Sequence, residues 1–131
     1  KGSDISRSEV VYDYFGDTGS LLVKVMATGA EQGKIFYVPI VFSRVVNYTV
    51  NGGEPLEIAS SVKVAELHNN DSIVIGNIPN GVTFAVTPSL TVAEKISGYS
   101  EDITDGSYPR TGVIDSKNGQ SRVIVKFNHI Q

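Results

Sequence analysis

The chain of 131 residues contains no cysteine, so disulfide bonds and thiolate metal sites are excluded. Tryptophan is also absent, which argues against an aromatic platform for sugar rings. The eleven lysines and arginines are scattered and the net charge is −3, whereas a surface that tracks nucleic-acid phosphates needs clustered basic side chains. No apolar run approaches the roughly 20 residues of a membrane-spanning helix. Nucleic-acid binding and membrane insertion are therefore not expected.

The composition is that of a folded domain, with 40% hydrophobic and 19% charged residues. This length can bury one core without metal or disulfide support. We expect residues 18–131 to form one domain. Residues 1–17 are interpreted as an N-terminal extension or linker that can add one strand around Val10–Tyr14.

Hydrophobic residues recur with the period of two that is typical of strands. Leu21, Val23 and Val25 share one face of a first strand. The stretch Ile35–Val46 is rich in β-branched and aromatic residues, and Pro39 within it favours an edge strand or a bulge. Residues 60–67 fit a strand or one helical turn.

Two hairpins are predicted from alternation on both sides of a turn. One spans Asp71–Val86 around Ile78–Gly81, and the other spans Val113–Asn128 around Lys117–Gln120. Residues 97–112 are interpreted as a long loop. About seven short strands and no helix of useful length make an all-β sandwich the expected fold.

Motifs that carry chemistry are few. The two histidines, His68 and His129, are isolated and have no zinc-ligand spacing. Glu101–Gly106 has oxygen ligands near a glycine but lacks the register of a calcium loop, so a solvated acidic loop is preferred. There is no Gly-x-Ser-x-Gly turn and no glycine-rich phosphate loop. We expect no catalytic residue, no metal and no cofactor.

Aromatic residues offer one further hypothesis. Tyr12, Tyr14, Phe15, Tyr99 and Tyr108 could stack on a sugar, and Tyr99 and Tyr108 are the candidates for ligand binding. The alternative, which we prefer, is that Tyr12 and Phe15 pack against the sandwich and that Tyr99 plugs one of its ends.

Four motifs occur in a familiar order: Gly19–Val23, the stretch Asp71–Val86, Gly98-Tyr99, and Val125–His129. In this order they resemble the B-type repeat domains of collagen adhesins and Gram-positive pilins, over residues 18–129. The resemblance implies an immunoglobulin-like (prealbumin-like) sandwich.

Many domains of that family join a lysine amine on the first strand to an asparagine carboxamide on the last, beside a glutamate or aspartate. The chemistry needs burial, because desolvation lowers the pKa of lysine and raises that of the acid. Aligned to the family, the three positions hold Val25, Pro88 and His129. None of these residues can form the bond.

The nearest candidates for the cross-link are Lys24, Glu94 and Asn128. Lys24 and Asn128 are each one residue from the aligned position, and a shift of one residue in a strand reverses the face. Glu94 requires a second alignment with a six-residue insertion, which leaves open whether Glu94 or Pro88 holds the acid position. We expect no isopeptide bond.

The resemblance implies a non-catalytic structural or adhesive module of a secreted, cell-wall-anchored surface protein or pilin. Its expected partners are neighbouring domains of the same protein and a host protein or glycan. The alternative is a carbohydrate-binding module of a secreted enzyme, and an enzyme in its own right is less favoured.

Overall fold

The computed structural model describes residues 17–102 and 109–130. Within these ranges nine strands form two sheets that pack face to face, which confirms the predicted all-β sandwich. The strands are β1 (Thr18–Thr28), β2 (Phe36–Val46), β3 (Thr49–Val50), β4 (Ser60–Leu67), β5 (Ser72–Pro79), β6 (Thr83–Val86), β7 (Tyr99–Asp102), β8 (Thr111–Val113) and β9 (Ser121–His129). A five-residue helix, α1 (Val92–Ile96), and a 3₁₀ turn (Ser116–Asn118) join them.

The first sheet has the strand order β3-β5-β1-β9-β7 and the second has the order β4-β2-β6-β8. In the described ranges no helix is long and apolar enough to cross a membrane. Residues 1–16 and Tyr108 lie outside the described residues, so the domain boundary at residue 17 and the added strand around Val10–Tyr14 stay predictions.

The core lies between the sheets and follows the predicted alternation. The inward rows of β1 and β9 are buried side chains: Leu21, Val23, Val25 and Ala27 on one strand, and Val123, Val125 and Phe127 on the other. The facing row of β2 is Phe36, Val38, Ile40 and Phe42. Each large apolar side chain buried in this way contributes about 1.5–3 kcal/mol to folding.

The predicted hairpin over Asp71–Val86 is wrong, because its two arms belong to different sheets. β5 pairs with β1 and β3, whereas β6 pairs with β2 and β8. The turn between them bonds to neighbouring segments: Asn80 N donates to Asp17 O and Gly81 N donates to Ile114 O. The alternating apolar side chains of both arms are buried in the core, but the two arms lie on opposite sides of it and do not pair with each other.

The predicted hairpin over Val113–Asn128 is wrong for the same reason. β8 pairs with β6, and β9 pairs with β1 and β7. The 3₁₀ turn carries the chain between the sheets, and the Asp115 side chain caps it by accepting a hydrogen bond from Lys117 N. The long loop expected over residues 97–112 contains strand β7 and the start of β8.

Pro39 lies inside its sheet and not at an edge, because β2 has β4 on one side and β6 on the other. β6 ends at Val86, and Thr87 N donates to Pro39 O just beyond it. The N and C=O of a residue in an antiparallel strand point to the same side. The missing N–H of Pro39 therefore faces Thr87, one residue beyond the end of β6, so the proline lies at the end of this ladder and not in its middle.

Residues 60–67 form strand β4 and not a helical turn. Ala65 and Leu67 face the core, while Val62 and Val64 lie on the outer face and are exposed.

Replacing Phe84 tests the predicted core register, because Phe84 is only 5% exposed and its ring packs against the backbone of the next strand. A Cβ at Gly112 would lie 2.8 Å from Phe84 Cζ. Phe84→Ala should therefore lower the free energy of unfolding by about 3–5 kcal/mol in chemical denaturation. Ile58→Ala is the control, since Ile58 is 82% exposed. Its effect should stay within about 0.5 kcal/mol, and an equally small effect of Phe84→Ala would contradict the register.

Candidate functional site

Polar and aromatic side chains gather at the end of the sandwich where β1 and β9 finish and β2 begins. We name this group the Lys34 cluster. Its members are Lys34, Phe36, Glu94, Tyr99, Phe127 and His129.

The period of two explains why these residues meet. Phe36 and Phe127 belong to the inward rows of β2 and β9. Lys34 precedes Phe36 by two residues and His129 follows Phe127 by two, so both extend an inward row past its apolar part. Tyr99 is the first residue of β7 and pairs with His129.

The rings form a continuous column. Phe127 stacks on Phe36 with centroids 4.4 Å apart, Phe36 meets Tyr99 edge to face at 5.8 Å, and Tyr99 stacks on His129 at 4.0 Å. Such aromatic pairs contribute about 0.5–1.5 kcal/mol each beyond their burial. The Tyr99 hydroxyl accepts a hydrogen bond from Glu31 N at 3.1 Å. The column therefore ties β2, β7 and β9 together with the turn after β1.

Lys34 lies over this column and pairs with an acid. Its Nζ is 5.5 Å from the Phe36 ring centre and 5.2 Å from that of Tyr99. The same atom forms an ion pair with Glu94, and the two side chains are 21% and 16% exposed. A cation near an aromatic face and a carboxylate is stabilised by both, and partial burial strengthens each interaction.

Glu94 is positioned by the short helix α1. Thr91 caps the helix: its hydroxyl accepts from Glu94 N at 3.1 Å, while Glu94 Oε1 accepts from Thr91 N at 2.8 Å. Burial alone would raise the pKa of Glu94, but the hydrogen bonds from Lys34 and Thr91 and the lysine charge outweigh burial and hold this pKa below its usual value. Glu94 is therefore held as an anion.

His129 fastens the end of β9 to two other segments. Its Nδ1 lies 2.9 Å from Gly29 O and its Nε2 lies 2.9 Å from Ser97 O. Carbonyl oxygens only accept, so both bonds coexist when the ring carries a proton on each nitrogen. Gly98 allows the close approach, because a Cβ there would lie 2.1 Å from Ile130 O. The Gly98-Tyr99 motif is thus explained by packing against the end of β9.

The positions aligned to the family's cross-link do not meet in this fold. Val25 is fully buried and pairs with Val125, while His129 lies four residues further along β9. Four residues of a strand span about 13 Å, so these two positions lie far apart along the paired strands. Ala27 is the inward residue of β1 nearer to His129. Pro88 is half-buried and lines a cavity of about 370 Å³ together with Leu90 and Tyr99.

The three nearest candidates are also apart. Lys24 and Asn128 are half-buried on the outer face of the first sheet, where Lys24 pairs with Ile124 and Asn128 with Thr28. They too are four residues apart in register, or about 13 Å. Glu94 lies at the end of the sandwich against Lys34. Glu94 belongs to the short helix α1.

Tyr99, a candidate for ligand binding, is a packing residue. It is 3% exposed, with His129 stacked on its ring and Phe36 against it. Tyr108 and most of the acidic stretch 101–106 lie outside the described residues. Glu101 and Asp102 belong to β7, and Glu101 pairs with Arg110. His68 lies in a turn and bonds to Asp71, and these hydrogen bonds lower the Asp71 pKa. Among the described residues no three His, Asp or Glu side chains are grouped to hold a metal.

The sequence motifs did not predict a role for Lys34, because the family's cross-linking lysine lies on the first strand and Lys34 precedes the second. A signal for it is present in the sequence. Lys34, Phe36, Val38 and Ile40 alternate in phase, and all but the lysine are buried apolar residues. A lysine in phase with an inward row indicates a side chain that needs a partner.

Glu94→Gln isolates the ion pair, because glutamine can keep the helix cap while removing the charge. The lowered pKa of Glu94 means that the pair stabilises the fold above the unfolded value of about 4.3 and that this stability is lost as the pH falls through the folded value. At pH 7 the variant should lose about 1–3 kcal/mol.

Denaturation between about pH 3 and pH 7 measures this effect, and the variant should show a flatter profile than the wild type at the acid end. Glu54→Gln, at an exposed position, is the control. Equal acid dependence of Glu94→Gln and the wild type would contradict the role of the pair.

No family model and no curated protein matches this chain. Solved structures do match. The major pilin T3.2 of Streptococcus pyogenes is similar with a TM-score of 0.58 and 17% identity, over 86% of this chain and 45% of that one. A second major pilin of this organism gives 0.52 and 21%, over 88% and 49%. The pilus-presented adhesin Cpa gives 0.53 and 14%, over 87% and 27%.

The chain spans less than half the length of each of these proteins. At such identities the likeness is one of fold. The predicted resemblance is confirmed at that level: residues 17–102 and 109–130 have the sandwich fold of pilin and pilus-adhesin domains.

Proposed function

We propose that this chain is a non-catalytic structural or adhesive module of a secreted, cell-wall-anchored surface protein or pilin of a Gram-positive bacterium. The module carries tension through its first and last strands. The pilin and adhesin neighbours support a surface module. The observation that carries the mechanical role is the parallel pairing of β1 with β9.

The pairing runs from Leu21 opposite Ser121 to Thr28 opposite Asn128, without a break in register. The chain enters β1 at one end of the sandwich and leaves β9 at the other. Force applied along the chain therefore slides the two strands past each other, and their hydrogen bonds are loaded together. Strands pulled apart sideways would lose these bonds one after another.

The Lys34 cluster supports the exit of β9. His129 is the last residue of the strand, and its two ring nitrogens lie 2.9 Å from Gly29 O, on the turn after β1, and 2.9 Å from Ser97 O, on the turn after α1. The stacked rings and the Lys34–Glu94 ion pair lie beneath it. In our proposal these non-covalent contacts act where related domains use a covalent bond, so the strand end is held without an isopeptide cross-link.

The proposed partners are neighbouring domains of the same surface protein, with a host protein or glycan as a further partner at the extracellular cell surface. The comparisons favour pilus subunits and adhesins and do not support a carbohydrate-binding module. The burial of Tyr99 argues in the same direction, because no open face of that ring is left for a sugar.

Single-molecule stretching tests the mechanical role. Handles before Thr18 and after His129 should give a higher unfolding force than handles at Thr28 and His129, which lie at the same end of the paired strands. The absence of cysteine from the chain allows both pairs to be attached through introduced thiols. Equal forces in the two directions would contradict the role of the β1–β9 pairing.

Intact-protein mass spectrometry tests the absence of the cross-link. Bond formation between a lysine amine and an asparagine carboxamide expels one ammonia, so we expect a mass equal to that of the sequence. Unfolding should then be reversible, because the stability of the fold comes from non-covalent packing. A mass lower by one ammonia would show that a lysine and an asparagine converge after all, and peptide mapping around Lys24, Lys34 and Asn128 would identify them.

A further inference from the structure

Two turns of the described structure contain an asparagine followed by glycine and differ in their hydrogen bonds. Asn51-Gly52 follows β3, and Asn80-Gly81 joins β5 to β6. In such a pair the glycine nitrogen can attack the side-chain carbonyl carbon of the asparagine, because glycine has no side chain to shield its nitrogen. The side chain of Asn118, in the pair Asn118-Gly119, lies outside the described residues, so the other two pairs are compared.

The turn at Asn51 leaves the glycine nitrogen free. Gly53 N donates to Val50 O at 3.0 Å and closes the turn. The φ angles of Asn51 and Gly52 are 52° and 79°, as a type I′ turn requires. Within the described part of the chain, Gly52 N donates to no acceptor. Both residues are exposed, so water and hydroxide reach the atoms that react.

The turn at Asn80 holds the corresponding nitrogen in a hydrogen bond. Gly81 N donates to Ile114 O at 2.9 Å, and Asn80 N donates to Asp17 O at 3.0 Å. The Asn80 side chain is half-buried and accepts from Ser116 N at 3.0 Å. Attack by Gly81 N therefore first requires the loss of its bond to Ile114 O, in a turn that is also fastened at Asn80.

The position of Asn51 in the fold makes the necessary rotation easy. β3 has only two residues and lies at the edge of the first sheet, where it pairs with β5 alone. Segments with few partners open locally at a small fraction of the free energy of global unfolding. Rotation about the bonds at Asn51 Cα then brings Gly52 N to the side-chain carbonyl carbon.

We propose that Asn51 is a site of spontaneous covalent modification and that the fold protects Asn80 from the same reaction. Hydroxide removes the proton from Gly52 N, and this nitrogen forms a bond to Asn51 Cγ. The bond from Cγ to Nδ2 breaks, and Nδ2 takes a proton from water and leaves as ammonia. Water then opens the resulting succinimide at either carbonyl, which gives aspartate or isoaspartate. The net change replaces one amide group by one carboxylate and needs no oxidant.

Isoaspartate at position 51 breaks the link between β3 and β5. Asn51 N donates to Val74 O, and Val74 N donates to Asn51 Oδ1, both at 2.8 Å. The asparagine thus continues the ladder in which Val50 pairs with Ile75. In isoaspartate the main chain runs through the former side chain, so the two bonds cannot both persist. The pairing of β1 with β9 is not part of this link, so the inference is independent of the proposed mechanical role.

Incubation of the full folded chain at neutral and mildly alkaline pH, followed by peptide mapping with mass spectrometry, tests the proposal. Asn51 should convert at least about tenfold faster than Asn80, because its turn opens more easily and its glycine nitrogen is free. The rate should rise with pH, since the attack needs loss of the proton from Gly52 N.

The same chain unfolded in denaturant is the matched control. There Asn51 and Asn80 should convert at similar rates, because both precede glycine and the fold no longer separates them. Equal rates in the folded chain would overturn the proposal. So would an Asn51 that stays unchanged in the folded chain while the unfolded chain reacts.

Hydroxylamine distinguishes the succinimide from an isopeptide bond, since both have lost one ammonia. It cleaves the main chain at a succinimide and leaves an isopeptide bond intact. The aged wild type should therefore be cleaved between residues 51 and 52. Asn51→Gly removes the reacting carboxamide and keeps a residue that adopts positive φ readily, so this cleavage should disappear. Cleavage that persists in the variant, or that is missing from the aged wild type, would contradict the assignment.

Discussion

The parallel pairing of β1 with β9 is the constraint on which the rest of the structure depends. It joins the two ends of the described chain in the middle of the first sheet, with β5 on one side and β7 on the other. Parallel strands cannot be joined by a tight turn, so the chain between β1 and β9 needs longer connections, some of which cross between the two sheets. The turns at Asn80 and at Ser116–Asn118 are such crossings. This one long-range pairing therefore brings both ends of the described chain to the centre of the first sheet.

The same pairing creates the need for the Lys34 cluster. β9 ends at the edge of the core. A strand end without side-chain contacts would open locally there, and the last residues of its inward row would be partly exposed to water. His129 and Lys34 are polar residues that continue apolar rows at this boundary. Their partners come from three separate segments: Gly29, Ser97 and Glu94. Non-covalent contacts from three separate segments therefore hold the end of β9.

Faces could be predicted from the sequence, but partners could not. Alternation identified the inward residues Val23, Ile75 and Phe84, because burial acts on each residue separately. Whether two such strands pair with each other depends on which other strands can form hydrogen bonds with them. Those competing strands are distant in the sequence, so the local pattern does not identify them. The arms around Asn80 face each other across the core in different sheets. Pro39 misled for the same reason, since its cost depends on where β6 ends.

At the candidate site, too, the sequence indicates which way a side chain faces but not which distant residue it meets. Parity correctly separates Lys24 from the inward row of Val23 and Val25, yet counting from motifs placed the family's lysine position at Val25, four residues from His129 in register. The register between two distant strands is set by the packing of all their side chains, which no local motif reports. Lys34 had a local signal, its phase with Phe36, but its partner Glu94 lies sixty residues away on a helix. A charged residue that continues an apolar row, as Lys34 does, therefore indicates a distant partner of opposite sign.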